Sequence, residues 1–375
     1  MPSIFLTDLV TITTGVNFSA IARFLILLIV IALYVLTTDH KRVLRDIPLL
    51  LILISLQLLV YIYNSHYWEL LNNLNFVIKF ISLYFWYNVS KNLVNYNTSS
   101  YVKVCDMTLL LYLCSILIAA IFEVSVMSTY GDTGRFGYKG VIPAANETAP
   151  LLLISSTWYA LQFSKNINAT NLFKLSVAFL ACALIGTKAA LIISVYSLFV
   201  VFFGLNNLLI RVVVITLLLI FISYLSYLNF DQILLAYQST LSYFESKMVG
   251  TGLESWVFAL LSGRNHKLES ILDVYFSSEI YWYYLLVGSY SVGTYMSELD
   301  LVDTILLFGF PIGLIMYYLY FYAIYKISYN QDIGLSFCIL LCFLSILAGH
   351  VVFSAVYLPF MMAMFFKNYR YGYGQ

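Results

Sequence analysis

Three carboxylates lie close together in the chain, at Glu298, Asp300 and Asp303, where an apolar run begins. A helix starting there would stabilise acidic residues at its positive end, which is the simple explanation for them. Carboxylates that are also close in space raise at least one pKa, and a raised pKa is what a general base needs. One of these acids is therefore a candidate for a general base, and Asp300 and Asp303 are also candidate substrate contacts.

Cationic side chains lie in two polar segments that could bind an anion. Arg135 and Lys139 lie in segment 134–140, whose three glycines would let the backbone approach a phosphate or diphosphate closely. Arg264 and His266 lie in segment 262–267, a compact cluster of hydrogen-bond donors that could also be a solvated turn. Both segments are candidates for binding a negatively charged ligand.

Four further residues are weaker candidates for substrate binding. Asn146 and Glu147 lie at the start of a predicted helix. For Asn146, capping of the helix is the stronger explanation, and for Glu147 we weigh capping and substrate binding about equally. Lys188 follows a tight Gly-Thr break at a membrane boundary, and a lysine at a helix end there is common. His350 lies in a predicted hairpin, where a histidine is more often structural than catalytic.

The composition excludes a soluble globular protein. Of 375 residues, 62% are hydrophobic and 10% charged, whereas soluble domains average about 25% charged residues. A net charge of +1 and the lack of a basic run exclude nucleic acid as a partner. The chain has no nucleotide-binding P-loop and no metal-ligand spacing, so neither an ATP-driven pump nor a metal or other cofactor is expected.

Apolar runs predict an all-α polytopic membrane protein that forms one integral membrane domain over residues 1–375. A spanning helix needs about 20 mostly apolar residues, and we predict about eleven spans, within a range of ten to twelve. The predicted spans are 18–36, 47–63, 70–87, 107–121, 144–163, 171–185, 189–203, 212–228, 301–320, 333–347 and 351–366.

The connections differ in charge from one side to the other. Those that would share a side with the C-terminus are rich in Lys and Arg, and the opposite side is acidic. The positive-inside rule then predicts a cytoplasmic C-terminus and places segment 229–300 outside as a large, partly helical loop. The orientation of the N-terminus is left open.

Five motifs in order resemble the O-antigen and capsule repeat-unit polymerases, within the O-antigen ligase/polymerase superfamily of membrane glycosyltransferases. The motifs are Gly134-Arg135-Phe136-Gly137 leading to Ala144-Ala145-Asn146-Glu147, then Gly186-Thr187-Lys188, Ser262-Gly263-Arg264, Glu298-Leu299-Asp300-Leu301-Val302-Asp303, and Gly349-His350-Val351. The resemblance implies a fold similar to GT-C glycosyltransferases in the bacterial inner membrane, with a periplasmic active site.

The resemblance also implies an inverting, metal-independent transfer of a glycan from undecaprenyl diphosphate to a second lipid-linked repeat unit. Arg135 and Arg264 would then contact the diphosphate, with Lys139 and Lys188 assisting. Glu298 would be the first choice for the base, with Glu147 and Asp303 behind it. Expected partners are the undecaprenyl-diphosphate-linked oligosaccharide, the lipid bilayer and a chain-length regulator.

Two alternatives remain open at the level of the sequence. O-antigen ligases carry a His-Asn pair near the position of the carboxylates here, so transfer to the lipid A core is less favoured. A lipid-linked oligosaccharide flippase would share the apolarity and the aromatic residues, but it should show paired halves, which this chain lacks.

Overall fold

The structure, a computed structural model, describes most of the chain. The described residues are 2–46, 67–93, 98–131, 136–205, 264–279, 281–288, 290, 296–328, 333–347 and 349–372, with single positions between 48 and 55 and between 212 and 261. In this part of the chain there are helices and turns and no β-strand, apart from an isolated antiparallel bridge between Ser128 and Tyr138. The all-α prediction is confirmed for these residues.

The helices are numbered in chain order. They are α1 (Pro2–Thr14), α2 (Phe18–Thr37), α3 (Tyr67–Leu93), α4 (Ser99–Ile121), α5 (Thr148–Lys165), α6 (Ala169–Leu184), α7 (Lys188–Gly204), α8 (Arg264–Ser277), α9 (Tyr281–Val287), α10 (Asp300–Phe308), α11 (Phe310–Ser328), α12 (Gly334–Leu347) and α13 (Leu358–Gly372). Single 3-10 turns cover Ser125–Met127 and Ala145–Glu147, and residues 40–46 are also helical.

Three of the described helices, α2, α4 and α11, are long and apolar enough to cross a membrane. On α2, Leu27, Val30 and Tyr34 are buried while Ile21 and Leu25 are exposed, so both faces of the helix are apolar. A helix that is apolar all round needs either a protein core or lipid on each face. The apolar helices therefore indicate a membrane protein, whereas the count of eleven spans and the GT-C-like architecture stay predictions.

The chain folds as two compact units, each built from two separate stretches. One unit contains Met1–Ala20 with Lys103–Val249, and the other contains Ile21–Val102 with Gly250–Gln375. The first holds α5 at its centre, buried throughout residues 148–160 and packed against α6 and α7. In the second, α11 packs against α3, α10 and α12. The organisation of the chain as a single membrane domain stays a prediction.

Two of the predicted spans differ from the helices. The predicted span 301–320 is divided into α10 and α11 at Gly309, whose φ of 83° is a left-handed conformation that ends the first helix. The predicted span 351–366 begins late, because residues 349–357 form turns and α13 starts at Leu358. Hydropathy did not detect these breaks because the residues around them are also apolar.

Three predicted segments lie wholly or largely outside the described residues. They are the spans 47–63 and 212–228 and the first part of the loop 229–300. The described end of that loop contains α8 and α9, so it is helical as predicted. Its outer location stays a prediction.

In the first unit, two backbone segments meet at glycines. Gly186 has φ 69°, and a Cβ there would overlap the carbonyl oxygen of Phe136. A Cβ on Gly137 would likewise overlap the carbonyl oxygen of Ile185, and Tyr138 N–H donates to Leu184 O over 2.9 Å. The segment before α5 is therefore held directly on the turn between α6 and α7.

We expect Gly186→Ala to destabilise this unit more than Gly131→Ala does. Both glycines have positive φ, but a Cβ on Gly131 would meet no atom of the described residues within 4 Å. The two substitutions share the cost of a left-handed alanine, so their difference isolates the overlap with Phe136, about 1–3 kcal/mol. Thermal unfolding of the purified variants in detergent measures it, and equal melting temperatures would contradict the close contact.

Candidate functional site

Glu298 lies in the turn before α10 between two cations. Lys267 donates from Nζ to Oε1 over 2.8 Å, and Arg264 Nε lies 3.4 Å from Oε2. The Glu298 side chain keeps 30% of its surface exposed. The carboxylate is thus paired within the protein and still accessible from outside it.

These cations decide the charge state of Glu298. Burial raises the pKa of Glu298, but the ion pairs with Lys267 and Arg264 and the nearby His350 outweigh it, and the pKa falls below its usual value. The mutual repulsion of the three acids, which the sequence led us to expect, therefore does not raise the pKa of Glu298. At neutral pH the Glu298 side chain is an ionised proton acceptor.

Arg264 and Lys267 stand in the first turn of α8, the positive end of the helix dipole. The positive charges of Arg264 and Lys267 are electrostatically unfavourable at this end of the helix. The negative charge of the Glu298 carboxylate offsets part of that unfavourable energy. Arg264 also donates from Nη1 to Leu347 O, at the last residue of α12, over 2.9 Å. Its guanidinium joins α8, the Glu298 turn and the end of α12.

Asp300 is buried beneath Glu298 and accepts hydrogen bonds from the chain itself. His350 N–H donates to Oδ1 over 2.6 Å, while Val351 and Val352 N–H donate to Oδ2 over 2.7 and 2.8 Å. Burial raises the pKa of Asp300 to about 7, with a contribution from Asp303, although the N–H donors oppose the shift. The pKa rise that we expected from neighbouring acids is therefore found at Asp300.

Asp303 is fully buried and bonds the residue before Glu298. Its Oδ1 accepts from both the backbone N–H and the hydroxyl of Ser297, each over 2.8 Å. The N-cap position of α10 is Leu299, which makes no side-chain capping bond. Asp300 and Asp303 therefore keep a favourable place in the first turn, but their hydrogen bonds go to other segments.

His350 faces this cluster from the turn between α12 and α13. Its φ is 58° and that of Glu298 is 62°, so both residues are left-handed. A Cβ on Gly349 would overlap the Glu298 carbonyl oxygen, which means that the two turns touch through their backbones. The structure thus brings together Arg264, Glu298, Asp300, Asp303 and His350 from three separate stretches of sequence.

Sequence reasoning chose His266 and missed its neighbour Lys267. His266 is exposed and its Nδ1 lies 3.0 Å from Glu269 Oε2 on the same helix, whereas Lys267 reaches Glu298. The three-residue spacing of Arg264 and Lys267 could have indicated this pairing, because residues three apart share one face of a helix. A helix beginning at Arg264 places Lys267 beside Arg264 and turns His266 away.

Two glycines of the glycine-rich segment in the other unit allow close packing within the protein. A Cβ on Gly137 or Gly140 would overlap Ile185 O or Ser115 Oγ, and the approach of an anion to this segment stays a prediction. Lys139 donates from Nζ to Pro143 O over 2.8 Å, and burial lowers its pKa. Gly134 and Arg135 lie outside the described residues.

The remaining candidates lie near this segment. Glu147 is 5% exposed, and neither the 3-10 turn containing Asn146 nor the start of α5 has a side-chain capping bond. Lys188 is exposed at the first position of α7, whose N-cap Thr187 accepts from Ala190 N–H over 3.3 Å. Glu147 occupies the N-cap position of α5 without a side-chain capping bond, and the substrate contacts of Asn146 and Glu147 stay a prediction.

Among the described residues, no group of three or more His, Cys, Asp or Glu side chains could hold a metal ion. Comparison of the chain with protein-family models, with curated proteins and with solved structures gives no match. The residues of the site itself must therefore carry the argument about function.

We expect Glu298 to stabilise the protein in a pH-dependent way. A lowered folded pKa means that the stabilisation is complete above the unfolded pKa of about 4.3 and is lost as the pH falls through the folded pKa. Wild type should therefore melt at a higher temperature than Glu298→Gln at pH 7, and the difference should shrink below about pH 4.

Lys267→Gln is the matched partner for this measurement. In the Glu298→Gln background, Lys267→Gln should lower the melting temperature little further, because the ion pair is already absent. A melting difference that is independent of pH would show that Glu298 contributes through its shape and not its charge.

Proposed function

We propose that the protein is a membrane polysaccharide polymerase. It transfers a growing glycan from undecaprenyl diphosphate to the terminal sugar of a lipid-linked repeat unit, on the periplasmic face of the bacterial inner membrane. The observation that supports this most is the pairing of an accessible carboxylate, Glu298, with Arg264 and Lys267.

The reaction needs an anion site next to a proton acceptor. The bond between the anomeric carbon and the diphosphate oxygen breaks, and the acceptor hydroxyl oxygen forms the new bond. The diphosphate leaves with the bonding electrons, and the hydroxyl proton passes to a base. Positioned cations and a carboxylate supply the two requirements without a metal.

The two cations on α8 suit the leaving group. A helix N-terminus attracts phosphate groups, and Arg264 and Lys267 add full positive charges there. Diphosphate oxygens compete with Glu298 for these cations. Once the cations are shared, the Glu298 carboxylate becomes more basic and can accept the acceptor proton.

The other predicted contacts keep a place in the proposal. Arg135, which lies outside the described residues, is proposed to bind the diphosphate on the basis of its glycine-rich sequence context and the family resemblance. Lys139, Asn146, Glu147 and Lys188 are proposed substrate contacts in the unit built around α5.

We expect Glu298→Gln to lower polymer formation by about 10²–10⁴-fold, because the amide keeps the shape but cannot accept a proton. Lys267→Gln should also lower it, through weaker binding of the leaving group. The measurement is the surface polysaccharide ladder in cells that lack the chromosomal gene and carry each variant, with membrane abundance checked by immunoblot.

The matched control is Glu269→Gln, an exposed acid on the same helix that pairs with His266. It should leave the ladder unchanged. A normal polysaccharide ladder in cells that carry Glu298→Gln would show that Glu298 is not the base. Lipid-linked polymer that accumulates unattached would instead identify a ligase, and repeat units trapped on the cytoplasmic side would identify a flippase.

We expect α8 to be accessible from the periplasm. In a background without native cysteines, Ser270→Cys, which is exposed on α8, should react with a membrane-impermeant maleimide in intact spheroplasts. Lys41→Cys, exposed in segment 40–46, should react only after permeabilisation. The reverse pattern would overturn the periplasmic placement of the site.

A further inference from the structure

We infer that Asp300 is a positioning residue, whose carboxylate clamps the Gly349–Val352 turn against Glu298 and so fixes Glu298 and His350 relative to each other. The sequence suggested a substrate contact for Asp300 instead. The inference rests on the proposed function for its kinetic consequence, but the clamp itself can be measured independently.

The carboxylate of Asp300 has little capacity left for a ligand. An ionised carboxylate has about four acceptor positions, and three successive backbone N–H groups, those of His350, Val351 and Val352, already occupy it. Asp300 is 1% exposed. A substrate hydroxyl would have to displace these backbone hydrogen bonds in a buried site to reach the carboxylate.

The clamp holds two strained turns in register. Left-handed conformations of residues other than glycine cost of the order of 1–3 kcal/mol each, and both Glu298 and His350 adopt one. Gly349 touches the Glu298 carbonyl oxygen so closely that no side chain fits there. The surrounding hydrogen bonds must hold Glu298 and His350 in these left-handed conformations, because neither conformation is favourable for an isolated turn.

Asp303 braces the other side of Glu298. It accepts two hydrogen bonds from Ser297, whose hydroxyl in turn accepts from Leu299 N–H over 3.1 Å. Glu298 is therefore fixed at both neighbours, by Ser297 and by Leu299. Hydrogen bonds hold the chain on both sides of Glu298 while 30% of its side chain stays exposed, which is the arrangement that a base or an orienting group requires.

Hydrogen exchange tests the clamp without reference to activity. In purified protein in nanodiscs, the amides of residues 350–352 should be protected in wild type. Asp300→Asn replaces an acceptor oxygen with an NH₂ group that faces the backbone N–H donors, so their exchange should accelerate at least about 10-fold. Asp46→Asn is the matched control, because Asp46 is a buried acid that bonds Tyr34 and Tyr84. It should leave this turn unchanged.

Polymerisation of purified lipid-linked repeat units provides the second measurement. A misplacement of about 1 Å can cost about 10²-fold in rate, so Asp300→Asn should lower kcat by 10- to 100-fold with KM nearly constant. If this variant does not accumulate, Gly349→Ala tests whether the two turns must stay in contact, because its Cβ would overlap the Glu298 carbonyl oxygen, and it should give the same two results.

The outcomes separate the clamp from the proposed function. Unchanged exchange in both variants would overturn the clamp. A raised KM with unchanged kcat would overturn it in favour of direct substrate contact. Faster exchange in the variants, together with a wild-type protein that forms no polymer, would support the clamp and refute the polymerase.

Discussion

The arrangement of the candidate site depends on one buried carboxylate and the three backbone N–H groups that it accepts. Asp300 opens α10 and receives its bonds from residues that follow α12, so it joins two elements distant in sequence. Burying a charge is costly unless hydrogen bonds replace the lost water. The turn that contains His350 supplies them, and the Glu298 turn is thereby held against it.

Electrostatics shape the outer layer of the same cluster. Arg264 and Lys267 lie at the end of α8 where the helix dipole disfavours cations, and Glu298 balances them. An anion that reaches this position finds two cationic donors in place, and it competes for them with the partly exposed Glu298 carboxylate and, at Arg264, with the Leu347 carbonyl oxygen. This preorganisation is the physical basis for proposing that the site binds a diphosphate leaving group.

The apolar surroundings place these few polar residues under a strong constraint. Helices that are apolar on every face leave lipid as the natural solvent, and polar side chains must then find partners within the protein or near the membrane boundary. Asp303 with Ser297, and Asp46 with Tyr34 and Tyr84, both follow this rule. Glu298 also has partners, Lys267 and Arg264, but 30% of its side chain stays exposed, which leaves it within reach of a ligand.

The sequence by itself determined the class of the protein, because composition and apolar runs report directly on the solvent that a chain requires. It also identified the stretches around Arg264, Glu298 and His350, since charged residues beside apolar runs are conspicuous. Only the tertiary structure decided what each residue does there. Lys267 pairs with Glu298 while His266 does not, and Asp300 bonds a distant backbone turn. The break at Gly309 also came from the structure alone. Such contacts depend on helix phase and on pairing between distant segments, and residue types along the chain do not encode either one locally.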